Sequence, residues 1–450
     1  MTRRWRPASW WRVALLLVAV AAYLGILLVR GGPPATGDTP PLTAVTTAVS
    51  HGDLHDAATV AALPDPPGYA LLMAPIVTVL RPVVGSPTWC TTAARAAALR
   101  PGAAVAARAD FANVIDECGH RAALPSGRLG SALPPWYRAQ GLLGLLAWVA
   151  LVIGAWMLLR AAGAPSPLAE VALVAFLVVL PAASSAVVQL FHPQDLLSLA
   201  LCAAGLAQTL RRRFVVAGAL FGVAFLTKQF AVLVLVPAVA AAPDGRARLR
   251  LVLPALTVTV VGLLPFFVVA PRPTLENVSG IGAGGAVEGS TLLSLARLSP
   301  TVVSAVARDF PVAVALVSAL WAQRRLRHRL LAPEPLLGLV LACLASRLVF
   351  ESVVFPYYLL GASVVFFLLD LSAARVPDRS LAWIAVTATF VAFRPTEDVV
   401  EALGTLVLAV VAVACGLAQT ARSAPEPSGV DGADVVPPDG VDAGVPMHNG

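Results

Sequence analysis

Residues 141–160 read GLLGLLAWVALVIGAWMLLR, and Arg160 is the only charged residue among them. About 20 consecutive apolar residues are enough for an α-helix to cross the hydrocarbon core of a bilayer. In lipid, a spanning segment has to satisfy its backbone hydrogen bonds internally, and a helix does this. The stretch therefore predicts a membrane-spanning helix.

The composition extends this prediction to the whole chain of 450 residues. Hydrophobic residues make up 58% and charged residues 13%, against about 45–50% and about 25% in soluble domains. Such a composition excludes a disordered protein, a soluble dinucleotide-binding enzyme and a nucleic-acid-binding domain. It predicts one all-α polytopic membrane domain, because a bilayer removes the need for a polar surface.

Apolar runs predict about twelve transmembrane helices. The first run reads as a span with its N-terminus inside, although a signal peptide would begin in the same way. Residues 213–227 and 229–243 are short, so these two helices could be broken. The predicted spans are 11–29, 141–160, 167–188, 195–211, 213–227, 229–243, 250–270, 306–323, 332–350, 354–372, 380–394 and 398–420.

The arginine pattern predicts the orientation of these helices. Cytoplasmic loops of membrane proteins carry an excess of Lys and Arg. Twelve spans from an inside N-terminus place every arginine cluster after residue 140 in the cytoplasm. These clusters are Arg160, Arg211–Arg213, Arg246–Arg250, Arg324–Arg329, and Arg375 with Arg379. We predict a multi-pass plasma-membrane protein with both termini in the cytoplasm, and the arginine- and alanine-rich usage favours a bacterial source.

Residues 30–140 are predicted to form an outer loop region before the second main span. Within it, residues 67–84 are apolar enough to cross the membrane, but a thirteenth crossing would place the later arginine clusters outside. We therefore prefer a membrane-embedded or interfacial helix there. The alternative is a true span that is compensated by a second one near 88–107.

The remaining boundaries divide the chain into three parts. A cytoplasmic N-terminus (1–10) precedes a transmembrane domain (11–423), and a Pro- and Gly-rich stretch (424–450) is predicted to be a disordered cytoplasmic tail. Cys90 and Cys118 lie in the outer loop region and could pair if it faces an oxidising compartment.

The first candidate site is the loop after the first span. It reads His51-Gly52-Asp53-Leu54-His55-Asp56, and Asp65-Pro66-Pro67-Gly68-Tyr69 follows. If residues 50–60 form a helix, the two Asp residues share a face, as do the two His residues. Paired carboxylates suit general acid–base chemistry, which needs a carboxylate tuned by its neighbours. The alternative is a solvated loop in which an Asp caps a helix.

Two further stretches lie at the predicted outer ends of spans. His192-Pro193-Gln194-Asp195 places a titratable ring and a carboxylate at the start of a helix, where Gln194 or Asp195 could simply be a cap. Lys228, followed by Gln229, is the only Lys among 32 basic residues and interrupts a long apolar region. A buried ammonium in a membrane segment is costly and indicates a function such as phosphate binding. A Lys that snorkels at a hairpin tip is the alternative.

Other outer residues give weaker signals. Arg347 and Glu351 are spaced to pair with each other on a helix, and Tyr357-Tyr358 are typical of membrane-interface anchors. Asn277-Val278-Ser279 matches a glycosylation acceptor, whose meaning depends on the host.

Three of these stretches, in this order, resemble the GT-C fold membrane glycosyltransferases, especially the mannosyltransferase-like members that use polyprenyl-phosphate sugars. The first is Gly52-Asp53-Leu54-His55 with Asp65 to Pro75, and the second is His192 to Asp195. The third is Ala217 to Gln229, which resembles the family's Ala-Gly-x-x-x-Gly-x-x-x-x-x-Lys segment. The chain departs from the family at Asp65, where an aromatic residue or His often precedes Pro-Pro, and in the long polar insertion 85–138.

The resemblance implies a GT-C-like fold, a polyprenyl-phosphate-linked sugar as donor and an extracytoplasmic glycan or glycolipid as acceptor. It implies that Asp53 is the catalytic base, with Asp56 as an orienting residue or as the alternative base. It also implies that Lys228 binds the departing phosphate, with His192 or Arg347 as helpers. The residues that would orient the reactants or hold the acceptor are His51, His55, Gln194, Asp195 and Gln229. No cofactor and no metal site is expected, although Asp53, Asp56 and Asp195 could bind a divalent cation. The alternatives are a transporter or flippase of lipid-linked substrates and a catalytically inactive relative.

Overall fold

A computed structural model shows a helical protein. It describes residues 10–30, 39–60, 66–84, 135–164, 166–189, 191–279, 299–351, 354, 356–373, 377–392 and 398–422. Within these ranges, all regular secondary structure is helical and no strand occurs, which confirms the predicted all-α class. The predictions for the tail, Asp65, Cys90 and Cys118 lie outside the described residues.

The described ranges contain the following α-helices. They are α1 (Trp10–Arg30), α2 (Thr39–Ser50), α3 (Leu54–Val60), α4 (Gly68–Val84), α5 (Pro135–Ala161), α6 (Pro167–Val179), α7 (Pro181–Ser184), α8 (Pro193–Leu210), α9 (Phe214–Thr227), α10 (Val232–Ala241), α11 (Gly245–Val269), α12 (Pro271–Ser279), α13 (Pro300–Leu326), α14 (Pro333–Phe350), α15 (Leu359–Ser372), α16 (Asp378–Ala392) and α17 (Asp398–Arg422). A π-helical turn (Ser185–Gln189) extends α7, and a 3₁₀ turn (Gln229–Ala231) precedes α10.

Each of the twelve apolar runs predicted as spans coincides with helical structure. Five helices among the described residues are long and apolar enough to cross a membrane by themselves. A sixth span results if α6 and the segment Pro181–Val187, which bend by 53° at their junction, are counted together. The structure therefore supports a membrane protein, and the twelve crossings stay a prediction.

Glycines allow close packing of the helices α5, α8, α9 and α11. A Cβ atom built on Gly154 of α5 would lie 2.3 Å from the carbonyl oxygen of Ala200 on α8. Gly218 and Gly222 of α9 would meet the carbonyl oxygens of Leu251 and Ala255 on α11 at 2.0 and 2.6 Å. Small residues spaced by four let membrane helices approach closely. The two glycines of the Ala-Gly-x-x-x-Gly segment thus position α9, which carries Lys228 at its end.

A second group of helices is formed by α13, α14, α15 and α17. Gly338 of α14 and Gly416 of α17 are in mutual contact, because a Cβ on either would lie within 2.7 Å of the other's carbonyl oxygen. The short helix α10 packs against both α13 and α14 and thereby joins the two groups.

The helix directions separate the molecule into two ends. Gly144 and Gly154 of α5 lie beside Phe191 and Ala200, so α5 and α8 run parallel. The Ser198 hydroxyl of α8 donates a hydrogen bond to the Ala224 carbonyl of α9, and Asp195 of α8 contacts Lys228 at the end of α9. These two contacts show that α8 and α9 run antiparallel. The arginines at the ends of α5 and α8 therefore lie at one end, called the basic end. The starts of α8 and α10 lie at the other, called the site end.

A buried carboxylate ties three helices together at the basic end. Glu170 on α6 is fully buried and pairs with Arg12 of α1 at 2.6 Å and with Arg160 of α5 at 2.9 Å. The start of α1 and the end of α5 thus lie at the same end, as the predicted topology requires.

The outer loop region contains more helix than the sequence predicts. Residues Thr39–Ser50 form α2, which packs against α3 and α4 and buries Thr43, Thr46 and Thr47. The predicted apolar segment 67–84 forms α4, whose Tyr69 and Met73 join the main core. Whether α4 crosses the membrane stays a prediction.

Candidate functional site

An irregular segment positions His192 at the site end. The bend at Pro181 and the π-helical turn Ser185–Gln189 are followed by Phe191, which is fully buried and has a φ of 54°. A bulky residue with a left-handed backbone is uncommon and costs energy that the surrounding structure has to offset. The conformation of Phe191 ends the irregular segment and starts α8 at Pro193, with His192 at the N-cap position.

Asp195 is the centre of a buried charged cluster. Its Oδ2 atom lies 3.7 Å from Nζ of Lys228 and 3.7 Å from Nδ1 of His192. The Gln194 side-chain nitrogen lies 3.2 Å from the same ring nitrogen of His192. Asp195 is 3% exposed and Lys228 is 8% exposed. The second and third candidate stretches, which are more than 30 residues apart in the sequence, thus form one site.

Two alternative interpretations of these residues are not realised. No side chain caps α8, so neither Gln194 nor Asp195 acts as an N-cap, and the Asp195 carboxylate faces the charged cluster instead. Lys228 does not snorkel outward, because its ammonium group is buried beside Asp195. Lys228 itself has an extended backbone that ends α9 and starts the 3₁₀ turn, so the helix break aims its side chain back towards α8.

Aromatic rings and a second ion pair surround this cluster. Arg347 pairs with Glu351, as the spacing predicted, and its guanidinium lies 4.4 Å from the ring centre of Tyr358. The ring of Tyr357 stacks on His192 with a centroid distance of 3.7 Å. Arg347 also interacts electrostatically with Asp195. The two tyrosines, which the sequence favoured as membrane-interface anchors, instead line the candidate site.

The first candidate loop has a structural role for one of its carboxylates. α3 begins at Leu54, and Oδ1 of Asp53 accepts the backbone N–H of Asp56 at 3.0 Å. Asp53 therefore caps α3, as the alternative interpretation of this loop proposed. Asp56 is buried within α3, and Nδ1 of His55 lies 3.9 Å from its Oδ1. His51 is exposed in the turn between α2 and α3.

A small apolar pocket of about 40 Å³ lies between α3 and the residues that adjoin the charged cluster. Residues of α3 lie on one side, and Gln194 and Thr227, the neighbours of Asp195 and Lys228, lie on the other. The pocket is lined by Leu42, Val45, Ala57, Ala58, Pro66, Pro67, Tyr69, Ala70, Gln194, Thr227, Phe266, Thr274 and Asn277.

Close backbone packing fixes the wall of this pocket. A Cβ atom on Gly68 would lie 2.4 Å from the carbonyl carbon and oxygen of Leu226. The start of α4 thus lies against the last turn of α9, two residues before Lys228. The Pro-Pro-Gly stretch of the first loop and the Lys228 segment are therefore in direct contact.

Asn277 links the same elements from the side of α12. Its side-chain amide donates to the carbonyl of Ala58 at 3.0 Å, and its own carbonyl accepts from the Gln229 side chain at 3.3 Å. Beyond the glycosylation pattern, no feature of the sequence indicates this role of Asn277. The link brings Gln229, one of the predicted orienting residues, to α3.

The charges of the cluster balance one another. Lys228 and Arg347 supply two cations, and Asp195 and Glu351 supply two carboxylates, with His192 as a titratable fifth group. In a low-dielectric interior each charge depends strongly on its partner. Within the part of the chain that the structure describes, no three His, Cys, Asp or Glu side chains are grouped as a metal site would need.

Comparison with known proteins adds no assignment, because no family model, no curated protein and no solved structure matches this chain.

Proposed function

We propose that this protein is a membrane glycosyltransferase that moves a sugar from a polyprenyl-phosphate donor to an extracytoplasmic glycan or glycolipid acceptor. The observation that carries the proposal is the buried cluster of Asp195, Lys228 and His192 beside a pocket shared with α3. The resemblance to GT-C glycosyltransferases requires that the outer-loop Asp, His192 and Lys228 converge at one cavity that is open to lipid. The proposal is supported by Ala57, Gln194 and Thr227, which adjoin Asp56, Asp195 and Lys228 in the sequence and line one pocket.

The proposed topology is twelve crossings with both termini in the cytoplasm. Its support is the separation of the two ends: Arg160 and Arg211–Arg213 lie at the basic end, whereas His192, Asp195 and Lys228 lie at the site end. Basic residues are typical of the cytoplasmic side. In this orientation, the pocket opens on the extracytoplasmic side, where a lipid-linked donor can enter from the bilayer.

Lys228 and Arg347 are proposed to bind the donor phosphate. Each cation now faces a carboxylate, so a phosphate binds by replacing Asp195 and Glu351 as their partner. The attraction between these cations and the phosphate strengthens as the bond between the anomeric carbon and the phosphate oxygen breaks, because negative charge then develops on the leaving phosphate. Cations placed where charge develops stabilise the transition state more than the ground state.

Asp56 is proposed as the base, with Asp53 as the second candidate. The base takes the proton of the acceptor hydroxyl while the acceptor oxygen bonds to the anomeric carbon and polyprenyl phosphate leaves. Asp56 is favoured because it is buried next to the α3 residues that line the pocket, whereas Asp53 caps the helix. His51, His55, Gln194 and Gln229 are proposed to orient the acceptor or the base, and no cofactor takes part.

A transfer assay tests this proposal. Membranes that contain the wild type, Asp56→Asn, Asp53→Asn or Lys228→Ala would receive radiolabelled polyprenyl-phosphate sugars and cell-envelope acceptors. We expect transfer by the wild type and a loss of about 10²–10⁴-fold in Asp56→Asn, which is the range for removing a general base. Lys228→Ala should fall comparably because it lacks the phosphate-binding cation.

Matched controls lie at the basic end. Asp378→Asn and Arg212→Ala remove an exposed acid and an exposed base far along the helices from the pocket, and both should keep full transfer. Loss of transfer in Asp53→Asn but not in Asp56→Asn would identify Asp53 rather than Asp56 as the base. Full transfer in both variants would exclude either as the base. Lys228-dependent movement of a lipid-linked sugar across the bilayer without transfer would favour the flippase alternative.

A further inference from the structure

One face of α13 combines exposed apolar side chains with two arginines. Val317, Leu320 and Trp321 are 67%, 52% and 37% exposed, and Arg324 and Arg325 follow one turn later. These five residues, which we call the Trp321 face, border an open groove of about 500 Å³. The spacing of i, i+3, i+4, i+7 and i+8 places them on one side of the helix.

The order of side chains along this face matches the depth profile of a bilayer leaflet. Val317 and Leu320 lie within the apolar span Ala305–Leu326, which faces mainly away from the rest of the molecule. Trp321 follows at the level where Trp is enriched at membrane interfaces, and the arginines come last. The guanidinium of Arg325 lies 6.0 Å from the Trp321 ring centre, so both groups lie at the same polar boundary.

Among the described residues, no carboxylate neutralises these two arginines. Neither forms an ion pair with a carboxylate in the described ranges, in contrast to Arg12, Arg160 and Arg347. Arg327 and Arg329, which follow in the next turn, are exposed as well. This end of α13 therefore attracts anions, and guanidinium groups suit phosphate oxygens in particular.

We propose that the Trp321 face binds an anionic phospholipid, with its phosphate on Arg324 and Arg325 and an acyl chain along Leu320 and Val317. Basic residues beside membrane helices on the cytoplasmic side are a general means of holding acidic lipid head groups. A second copy of the chain is a poorer occupant, because a symmetric contact through this face brings two identical arginine pairs together. Gln323 of α13 lies against Arg248 at the start of α11, and α11 begins at the basic end because it runs parallel to α9. The Trp321 face therefore lies at the basic end, and this inference is independent of the proposed enzymatic activity.

Native mass spectrometry of the full-length protein in detergent tests the proposal. Phosphatidylglycerol or phosphatidylcholine would be added to the wild type, to Arg324→Gln/Arg325→Gln and to Arg211→Gln/Arg212→Gln. The last variant is the matched control, because it removes two exposed arginines at the same end without touching α13. We expect the wild type and the control to retain phosphatidylglycerol about tenfold better than phosphatidylcholine, and the Arg324/Arg325 variant to lose this preference.

Trp321→Ala should weaken retention of both lipids, because it removes the interfacial ring while leaving the charges. Equal retention of the two lipids by the wild type would overturn the proposal. An equal loss in the control would overturn it too, because binding would then follow net charge rather than this face. A dimer that dissociates in the Arg324/Arg325 variant would assign the face to a second copy instead.

Discussion

Lys228 is the only lysine of the chain and lies in an ion pair with Asp195 where both side chains are almost fully buried. Removing two charges from water costs several kcal/mol per ion, and their attraction offsets this only in part. An apolar pair would stabilise this position at least as well. The residues at this position are therefore better explained by a function than by stability, which agrees with the proposed phosphate site.

We expect substitutions of Lys228 and Asp195 to be strongly coupled in their effects on the free energy of unfolding. Lys228→Met should destabilise the protein by about 3–5 kcal/mol, because it leaves the Asp195 carboxylate buried without its cation. Adding Asp195→Asn to Lys228→Met should recover part of this loss, since the uncompensated charge is then gone. Unfolding of the single and double variants in detergent measures the coupling. Additive losses would contradict it, and Arg212→Gln, which removes an exposed arginine, should change little.

At the scale of elements, the site depends on how closely α4 approaches α9. Gly68 lies so near the backbone of Leu226 that no side chain fits between them. This contact holds the first loop against the segment that carries Lys228, and Asn277 holds α3 on the other side. The position of the pocket therefore depends on the packing of the short helices α3, α4 and α12 against α9.

Gly68→Ala tests this dependence. The added methyl group would lie 2.4 Å from the Leu226 carbonyl, so α4 has to move, at a cost of about 1–3 kcal/mol. We expect a lower melting temperature and reduced sugar transfer. Gly25→Ala is the control, because a Cβ there has no atom within 4 Å and alanine favours a helix. A Gly68→Ala variant as stable and active as Gly25→Ala would show that the approach is not needed.

At the scale of the whole molecule, the two ends differ in chemistry. Arginine clusters and the buried Glu170 mark the basic end, and the Asp195 cluster marks the site end. We expect this asymmetry to set the orientation in a bilayer, because basic loops are enriched on the cytoplasmic side.

Cysteine labelling in intact cells checks the orientation. Arg272 is exposed where α11 reaches the site end, and Arg212 is exposed at the basic end. A membrane-impermeant maleimide should label Arg272→Cys in intact cells and should label Arg212→Cys only after permeabilisation. The wild type measures labelling of the native cysteines. The reverse pattern would invert the topology and would remove the extracytoplasmic site on which the proposed reaction depends.

Much of the helical framework could be predicted from the sequence, and part of the site could not. Apolar runs identified the twelve helical regions because backbone groups in lipid can form hydrogen bonds only within the protein, and a helix satisfies them internally. Helix α2 was missed, because its Thr- and Ala-rich sequence is too short to span and is stabilised by packing against α3 and α4. The capping alternatives for Asp195 and the snorkelling alternative for Lys228 were wrong, because local spacing does not show which helix lies opposite.

The sequence by itself determined the membrane class, the all-helical structure, the segregation of arginines and the candidate residues, since each depends on composition or on contacts within one segment. Only the tertiary structure decided that His192 and Lys228 share Asp195, that Tyr357 stacks on His192 and that Asp53 caps a helix. These contacts depend on the register between α8 and α9, which is set by the approach of Gly205 to Phe221 and by the bond from Ser198 to Ala224. Register between packed helices is a property of both surfaces together, and neither sequence segment carries it alone.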